Sequence, residues 1–292
     1  MCMTGKIIDG LAVALDVSSR VKQAVGELKK RRDVIPCLAT VLVGDDPASS
    51  TYVKNKQKAA ETVGIITRDH RLSSSYKQNE LMELIKLLNQ DFHVHGILVQ
   101  LPLPSHFDEF TLVSLINPNK DVDGLTPFNA GMLLNGKGNL KPCTPSGIIE
   151  LLDFYKIDVN RMDAVIVNRS NLVGKPLALL LLERNATVTI CHSKTKGLDE
   201  KLKNADLIIT AVGDRERFIL TQDMVKNDAV VIDVGITRDN GKLMGDVDFH
   251  AVREKVSWIT PVPGGVGPMT VSMLLKNTIS AALSISEEEM NQ

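Results

Sequence analysis

The feature that most constrains this chain is an alternation: short, nearly all-apolar runs take turns with helix-patterned segments throughout its length. Leu11, Val17, Val21, Ala24, Val25 and Leu28 recur at helical spacing, and Cys37–Val43 is then a β-rich run that stops at Gly44-Asp45-Asp46-Pro47. Pro47 suits the first turn of a helix, where its missing N–H is not needed, and Gly64 suits the stop, which predicts a helix over 47–63. Ile65–His70, a helix over Gln78–Leu88 and the run Gly96–Leu101 continue the series. After Pro142 it resumes with a helix over 146–155, strands near 164–168, 187–191, 207–212, 229–234 and 257–260, and a last helix over Pro268–Ser284.

Alternation of this kind reads as parallel βαβ units, and so as an α/β fold. A chain of 292 residues predicts two domains at roughly 100–200 residues each. The boundary falls near the Gly- and Pro-rich stretch Gly136–Pro145. That gives an N-terminal α/β domain over 1–142, to which 268–292 returns, and a Rossmann-type parallel-sheet domain over 143–267.

Composition narrows the class. Hydrophobic residues at 43% and charged residues at 24% exclude a disordered chain, and a net charge of -1 gives no field to recruit nucleic acid or an anionic membrane. The longest clean apolar run, Leu177–Leu182, is far short of the ~20 residues of a membrane span. The N-terminal residues lack an apolar signal core, so a cytoplasmic protein is expected. Cys2, Cys37, Cys143 and Cys191 are scattered without a Cys-x-x-Cys pair, which supports neither a disulfide framework nor a zinc site. His93 and His95 lie two apart beside a strand-like run, a spacing that allows a shared face, but no third ligand follows at a metal spacing.

The second half carries a strand–loop–helix unit: Ala164–Val167, then Asn168-Arg169-Ser170-Asn171-Leu172-Val173-Gly174, then Lys175-Pro176. A doubly wound fold seats a pyrophosphate at such a place, on the helix N-terminus. The loop has one glycine where the dinucleotide fingerprint has three, and Pro176 excludes a P-loop ending. The next strand ends at His192-Ser193-Lys194-Thr195 with no acid to bind a ribose 2′-hydroxyl. A hydroxyl and a cation stand there instead, with Arg169 in the facing loop, donors that suit a 2′-phosphate. The two strand ends together point to NADP.

In the first half, Tyr52 and Lys56 lie four apart on the helix opened by Pro47 and so share a face. A lysine beside a phenol in a cleft can relay protons, although the spacing equally fits a surface helix with scattered lysines at 54, 56 and 58. Gln100 falls at a strand end before Leu101-Pro102-Leu103-Pro104, and Asp121 and Asp123 share a turn that either binds a heterocycle or caps the next helix. Thr260–Thr270 packs three glycines and three prolines into a loop before a helix, which suits a rigid binding wall.

Taken together, these segments resemble the methylenetetrahydrofolate dehydrogenase/cyclohydrolase family, in family order across nearly the whole chain. The resemblance rests on Ser49–Lys56, Val99–Pro104, Lys120–Leu125, Arg169-Ser170 with Val173–Pro176, Cys191-His192-Ser193 and Thr260–Thr270. It implies NADP-dependent oxidation of 5,10-methylenetetrahydrofolate to the methenyl form, followed by hydrolysis to 10-formyltetrahydrofolate. It also implies tetrahydrofolate derivatives as partners and a homodimer. By resemblance Lys56 is the catalytic lysine, Tyr52 stacks on the folate, Gln100 supports Lys56 and Asp123 holds the pterin. Leu101, Pro102, Gly264 and Gly265 complete the substrate site, and the Pro263–Thr270 loop, with Thr270, faces folate and nicotinamide. Arg169 and Ser193 take the 2′-phosphate, while Asn168, Ser170 and Ile236 line the dinucleotide site.

Asn168 departs from the glycine usual in the family, and a side chain there predicts a crowded pyrophosphate or an altered turn, eased by the tolerance of Asn for left-handed backbone. Two other readings compete. A short-chain dehydrogenase also uses a Tyr-x-x-x-Lys pair, but its nucleotide loop precedes the pair, and here it follows. A non-catalytic NADP-binding regulator would bind cofactor without turning over folate.

Overall fold

The computed structural model describes residues 4–239 and 241–290, with side chains at 47–51 and 288–290 outside the description. Two compact units result, one of the residues up to Leu15 with Thr144–Thr270, the other of Asp16–Cys143 with the chain from Val271 onward.

Strand β1 (Lys6–Ile7) and helix α1 (Gly10–Arg32) open the chain, followed by β2 (Cys37–Val43), α2 (Pro47–Val63), β3 (Ile66–Leu72), α3 (Gln78–Gln90), β4 (Gly96–Val99), α4 (Glu109–Ser114) and α5 (Pro127–Leu134). β2 lies between β3 and β4 in a parallel three-stranded sheet, with Leu38 opposite both Thr67 and Gly96. A parallel sheet covered on both faces needs a central strand without polar alternation, and every residue of β2 is buried. Its odd positions, Cys37, Ala39, Val41 and Val43, join Leu81, Ile85 and Leu88 of α3 in one core cluster. Those three recur every three or four residues, one helical face, and each contributes roughly 1.5–3 kcal/mol by burial. β3 is the polar edge, with Arg68, Asp69, His70 and Arg71 on a strand that would otherwise invite further pairing.

His95 is a cross-strand fastener: its Nδ1 accepts the Cys37 N–H at 3.1 Å, and burial holds its imidazole pKa down to about 4, with Lys120 and His93 adding to the effect and Asp91 opposing it. Among the described residues no three His, Cys, Asp or Glu side chains gather as a metal set.

The second unit adds α6 (Cys143–Phe154), β5 (Asp163–Val167), α7 (Gly174–Leu182), β6 (Thr187–Cys191), α8 (Leu198–Asn204), β7 (Leu207–Thr210), β8 (Val230–Asp233), β9 (Thr237–Asp239), β10 (Lys242–Met244), α9 (Phe249–Arg253) and β11 (Trp258–Ile259). Six strands form a parallel sheet in the order β1-β11-β8-β7-β5-β6, and β9 and β10 form a separate antiparallel pair. β7, β8 and most of β5 are fully buried, as their unbroken apolar runs require. After β6 the chain crosses back over β5 to lay β7 on its other side. That reversal, beyond the carboxyl ends of β5 and β7, is the crevice where open parallel sheets bind ligands.

The first fifteen residues therefore differ from the expected 1–142 division, because Lys6–Ile7 pairs with Trp258–Ile259 and extends the six-stranded sheet. A two-residue strand has no period to read in the sequence. The last helix, α10 (Val266–Met290), starts earlier and ends later than expected. From Val271 it belongs with the three-stranded unit, where Asn277 donates to Val122 O at 2.8 Å and Lys141 O at 2.9 Å, and Arg32 of α1 bonds Ser286 at 2.7 Å and Glu287 at 3.0 Å.

Candidate functional site

In the three-stranded unit the chemistry gathers around Lys56. Helix α2 puts Tyr52 and Lys56 on one face, and the Lys56 ammonium lies 4.3 Å from the centre of the Tyr52 ring, a cation–π distance. Lys56 is 4% exposed, so it is no member of a solvated lysine face. Its Nζ donates to Gln100 Oε1 at 3.1 Å. Gln100 follows the end of β4, and its own Nε2 donates to Leu101 O at 2.7 Å, which turns the amide oxygen toward the lysine. Burial lowers the pKa of Lys56 and outweighs the opposing pull of Asp123 and Cys143.

The two acids of the 120–125 turn part company. Asp121 is structural: its carboxylate accepts from Leu125 N at 3.1 Å, Thr126 N at 2.8 Å and Asn129 Nδ2 at 2.9 Å, so it ties the turn to α5. Lys120 is structural too, and its buried ammonium caps α3 by donating to the carbonyls of Leu88, Asn89 and Asp91. Asp123 faces Lys56 instead. Burial raises its pKa, helped by Asp121, while Lys56 and a hydrogen bond from Cys143 act the other way.

Sequence reasoning missed Cys143, which reads there as one of four scattered cysteines. Its buried thiol lies 3.3 Å from Val122 O and donates to Asp123, and burial with the Asp123 charge pushes its pKa well above the usual thiol range. Only its place right after Pro142, at the start of α6, hints at a fixed position. An amine that burial drives toward neutrality, an acid that burial drives toward protonation and a thiol that keeps its proton thus share one pocket. Such a set can take up and return a proton.

The six-stranded unit presents a different surface. β5 and β6 pair in register with Val167 opposite Cys191, so Arg169 and Ser193 each follow two residues beyond the paired ends. Both are exposed. Ile236 is 56% exposed, and its carbonyl lies beside Gly213 in the loop after β7. Thr270 shares a 2.9 Å hydroxyl contact with Thr144. In the loop before α10, Gly264 sits at φ +103°, and a Cβ on Gly265 would come within 2.5 Å of Pro261 O, so only glycine lets this turn close.

Two further acids, absent from the sequence reading, brace this surface. Asp233 closes β8 and accepts from Gly235 N at 3.1 Å, Asp246 N at 2.9 Å and Val247 N at 3.0 Å. Asp246 in turn accepts from Val212 N at 2.6 Å and Gly213 N at 2.9 Å, holding the loop that leaves β7. Burial raises both pKa values, that of Asp233 to about 6.

Known proteins match this arrangement over both units. Residues 8–123 match the family model described as tetrahydrofolate dehydrogenase/cyclohydrolase, catalytic domain, and residues 142–286 match the NAD(P)-binding domain of the same family. The bifunctional protein FolD of Nitrosopumilus maritimus is 59% identical over 280 residues, covering 96% of this chain and 97% of that protein. The crystal structure of the bifunctional FolD methylenetetrahydrofolate dehydrogenase/cyclohydrolase of Campylobacter jejuni has a TM-score of 0.92 at 48% identity, over 96% of this chain and 99% of that one. The Trypanosoma brucei enzyme, crystallised with NADP cofactor and an inhibitor, has a TM-score of 0.91 at 36% identity, over 99% of each chain.

Proposed function

The chain belongs to the tetrahydrofolate dehydrogenase/cyclohydrolase family, and from that premise we propose how its own residues divide the work. The protein oxidises 5,10-methylenetetrahydrofolate to the 5,10-methenyl form with NADP and hydrolyses that product to 10-formyltetrahydrofolate. Residues 16–142, with the C-terminal helix, bind folate, and residues 143–267, in the sheet that Lys6–Ile7 extends, bind the dinucleotide.

The donor set fits NADP. His192–Thr195, just after β6, contains no carboxylate, and the exposed Arg169 and Ser193 stand after adjacent strands, where a 2′-phosphate finds a guanidinium and a hydroxyl. NADP supplies the hydride acceptor when bound. Ser170 and Ile236 line its site, and Thr270 with Gly264 and Gly265 forms a fixed wall that orients the reacting groups. Oxidation needs no acid or base, because the hydride leaves the bridging methylene carbon directly; positioning is the enzyme's contribution.

Hydrolysis does need a proton carrier. Tyr52, Leu101 and Pro102 hold the folate, and Asp123 receives the N–H groups of the pterin. Water adds to the methenyl carbon and gives one proton to the Lys56 amine, while Gln100 Oε1 steadies the ammonium that forms. As the bond from that carbon to N5 breaks, this proton passes to N5. The second water proton leaves to solvent, and the formyl group stays on N10. The observation that carries the reading is the buried Lys56 amine, 3.1 Å from Gln100 Oε1 and displaced toward its neutral form.

One assay tests it: purified protein with methylenetetrahydrofolate, NADP against NAD, following the methenyl absorbance and its decay. NADP-dependent appearance and then decay of methenyl supports the reading; NADP binding without turnover of folate would favour the regulator instead. A homodimer and a cytoplasmic setting are proposed from the family alone. No described helix is long and apolar enough to cross a membrane, and light scattering of the purified protein tests the dimer.

A further inference from the structure

Asn168 stands at the switch between β5 and β7, and its side chain turns into the loop. Its Oδ1 accepts three hydrogen bonds, from Ser170 N at 2.8 Å, Ser170 Oγ at 2.8 Å and Gly174 N at 3.0 Å. Its Nδ2 donates to Ala211 O, the residue that follows β7, at 2.6 Å. One amide group therefore closes the β5–α7 loop on itself and ties it to the loop across the crevice. No left-handed backbone is involved, since Asn168 is not among the described residues with positive φ. The fit is tight: a Cβ on Gly174 would lie 2.2 Å from Asn168 O, so the helix can start only with glycine there.

The bonds sort the loop's donors. Ser170 N and Gly174 N are spent on Asn168, Val173 N on Ser170 Oγ at 3.1 Å, and Lys175 N on Ser170 O at 3.1 Å. The N–H groups of Arg169, Asn171 and Leu172 carry no bond among the described residues. A helix start normally offers its first N–H groups to an anion. Here those of Gly174 and Lys175 are already engaged, and the open donors sit at the apex of the loop.

We propose that Asn168 is a positioning residue: its amide locks the nucleotide loop in a preformed shape at the β5/β7 switch, so that the pyrophosphate is met by the loop apex rather than by the first N–H groups of α7. This rests on the NADP reading above. A side chain at this position is thereby a brace and not an obstruction. Because the brace shapes the part of the site that meets the pyrophosphate, common to NAD and NADP, it acts on both cofactors alike; Arg169 and Ser193 do the discriminating.

The test compares wild type with Asn168→Ala by cofactor titration in a calorimeter and by steady-state dehydrogenase kinetics. Loss of the brace raises the Kd and KM for NADP about tenfold, leaves kcat within about twofold and leaves the NADP-to-NAD preference unchanged, as expected when several hydrogen bonds that organise a binding loop are removed. In the cofactor-free wild-type protein the Ser170 and Gly174 amides exchange slowly with solvent, and in the variant they exchange fast. Asn168→Gly, which fits any backbone geometry, carries the same test should the alanine variant not fold. An unchanged Kd and KM overturns the proposal, as does a fall in kcat alone or a change in cofactor preference. A wild-type protein that binds no NADP overturns the underlying cofactor reading instead, while slow Ser170 and Gly174 exchange would still locate the brace.

Discussion

In the three-stranded unit the buried amine of Lys56 meets one amide oxygen and an aromatic face, with an acid and a thiol beside it. In the six-stranded unit the buried anion Asp233 meets three backbone N–H groups. Both groups are about equally withdrawn from water, and both have pKa values displaced by burial toward the neutral form. The difference lies in the partners. Backbone donors are fixed and cannot change protonation state, so Asp233 and Asp246 hold loops in place. Lys56 and Asp123 are titratable, and a proton can be redistributed between them, while the Cys143 thiol keeps its own. Asp233 and Asp246 act as fasteners, whereas the three-stranded unit keeps Lys56 and Asp123 as a proton store beside its own fasteners, Lys120 and Asp121.

That contrast is broken most severely at Lys56. Lys56→Met removes the proton-carrying amine and lowers cyclohydrolase turnover by roughly 10²–10⁴-fold, the range for loss of a general acid–base, while the Kd for NADP stays near wild type. Loss of NADP binding in that variant would sink the separation of roles.

The fasteners are tested by pH, and the two units respond with opposite sign. His95, depressed from 6.5 to about 4, gives the three-stranded unit stability that is fully present above pH 6.5 and lost as pH falls toward 4. Asp233, raised from 3.8 to about 6, gives the six-stranded unit stability that is present below pH 3.8 and lost as pH rises through 6. Each displacement corresponds to roughly 3 kcal/mol at 1.36 kcal/mol per pKa unit. Denaturation midpoints of wild type, His95→Asn and Asp233→Asn between pH 4 and 8 separate the two. The stability advantage of wild type over His95→Asn shrinks on acidification, and its advantage over Asp233→Asn shrinks as pH rises. Parallel curves for wild type and either variant would contradict the assignment for that residue.

The smallest effect expected is at the cofactor edge. If Arg169 grips the 2′-phosphate as proposed, Arg169→Ala removes charged hydrogen bonds worth roughly 1.5–3 kcal/mol, which raises the KM for NADP and leaves that for NAD nearly untouched. An equal rise for both cofactors would show that Arg169 shapes the loop, the part assigned here to Asn168.

Much of this was readable from the sequence because it is local. Cys37–Val43 and Asp163–Val167 announce buried strands by unbroken apolar runs, and Leu81, Ile85 and Leu88 announce a helix face by spacing. Tyr52 and Lys56 share a face whatever the helix packs against. The spacing could not say whether that face was solvated, and the structure buries Lys56. Nor could it separate Asp121 from Asp123, since two residues of one turn point apart only once α5 and α2 give each a partner.

What the sequence determined by itself was the order and type of the elements and the motifs at their ends, because dihedral preference and side-chain period depend on a few neighbouring residues. The tertiary structure decided which distant groups meet. It brought Cys143 to Asp123, turned Asn277 back onto Val122, and set Asp246 against the loop after β7. It also gave Asn168 its inward turn, since the Ala211 carbonyl on the neighbouring strand's loop, the N–H groups of Ser170 and Gly174 and the Ser170 hydroxyl together satisfy its amide. Hydrogen bonds and burial across tens of residues leave no periodic trace in a chain, so these contacts became visible only when the two sheets had formed.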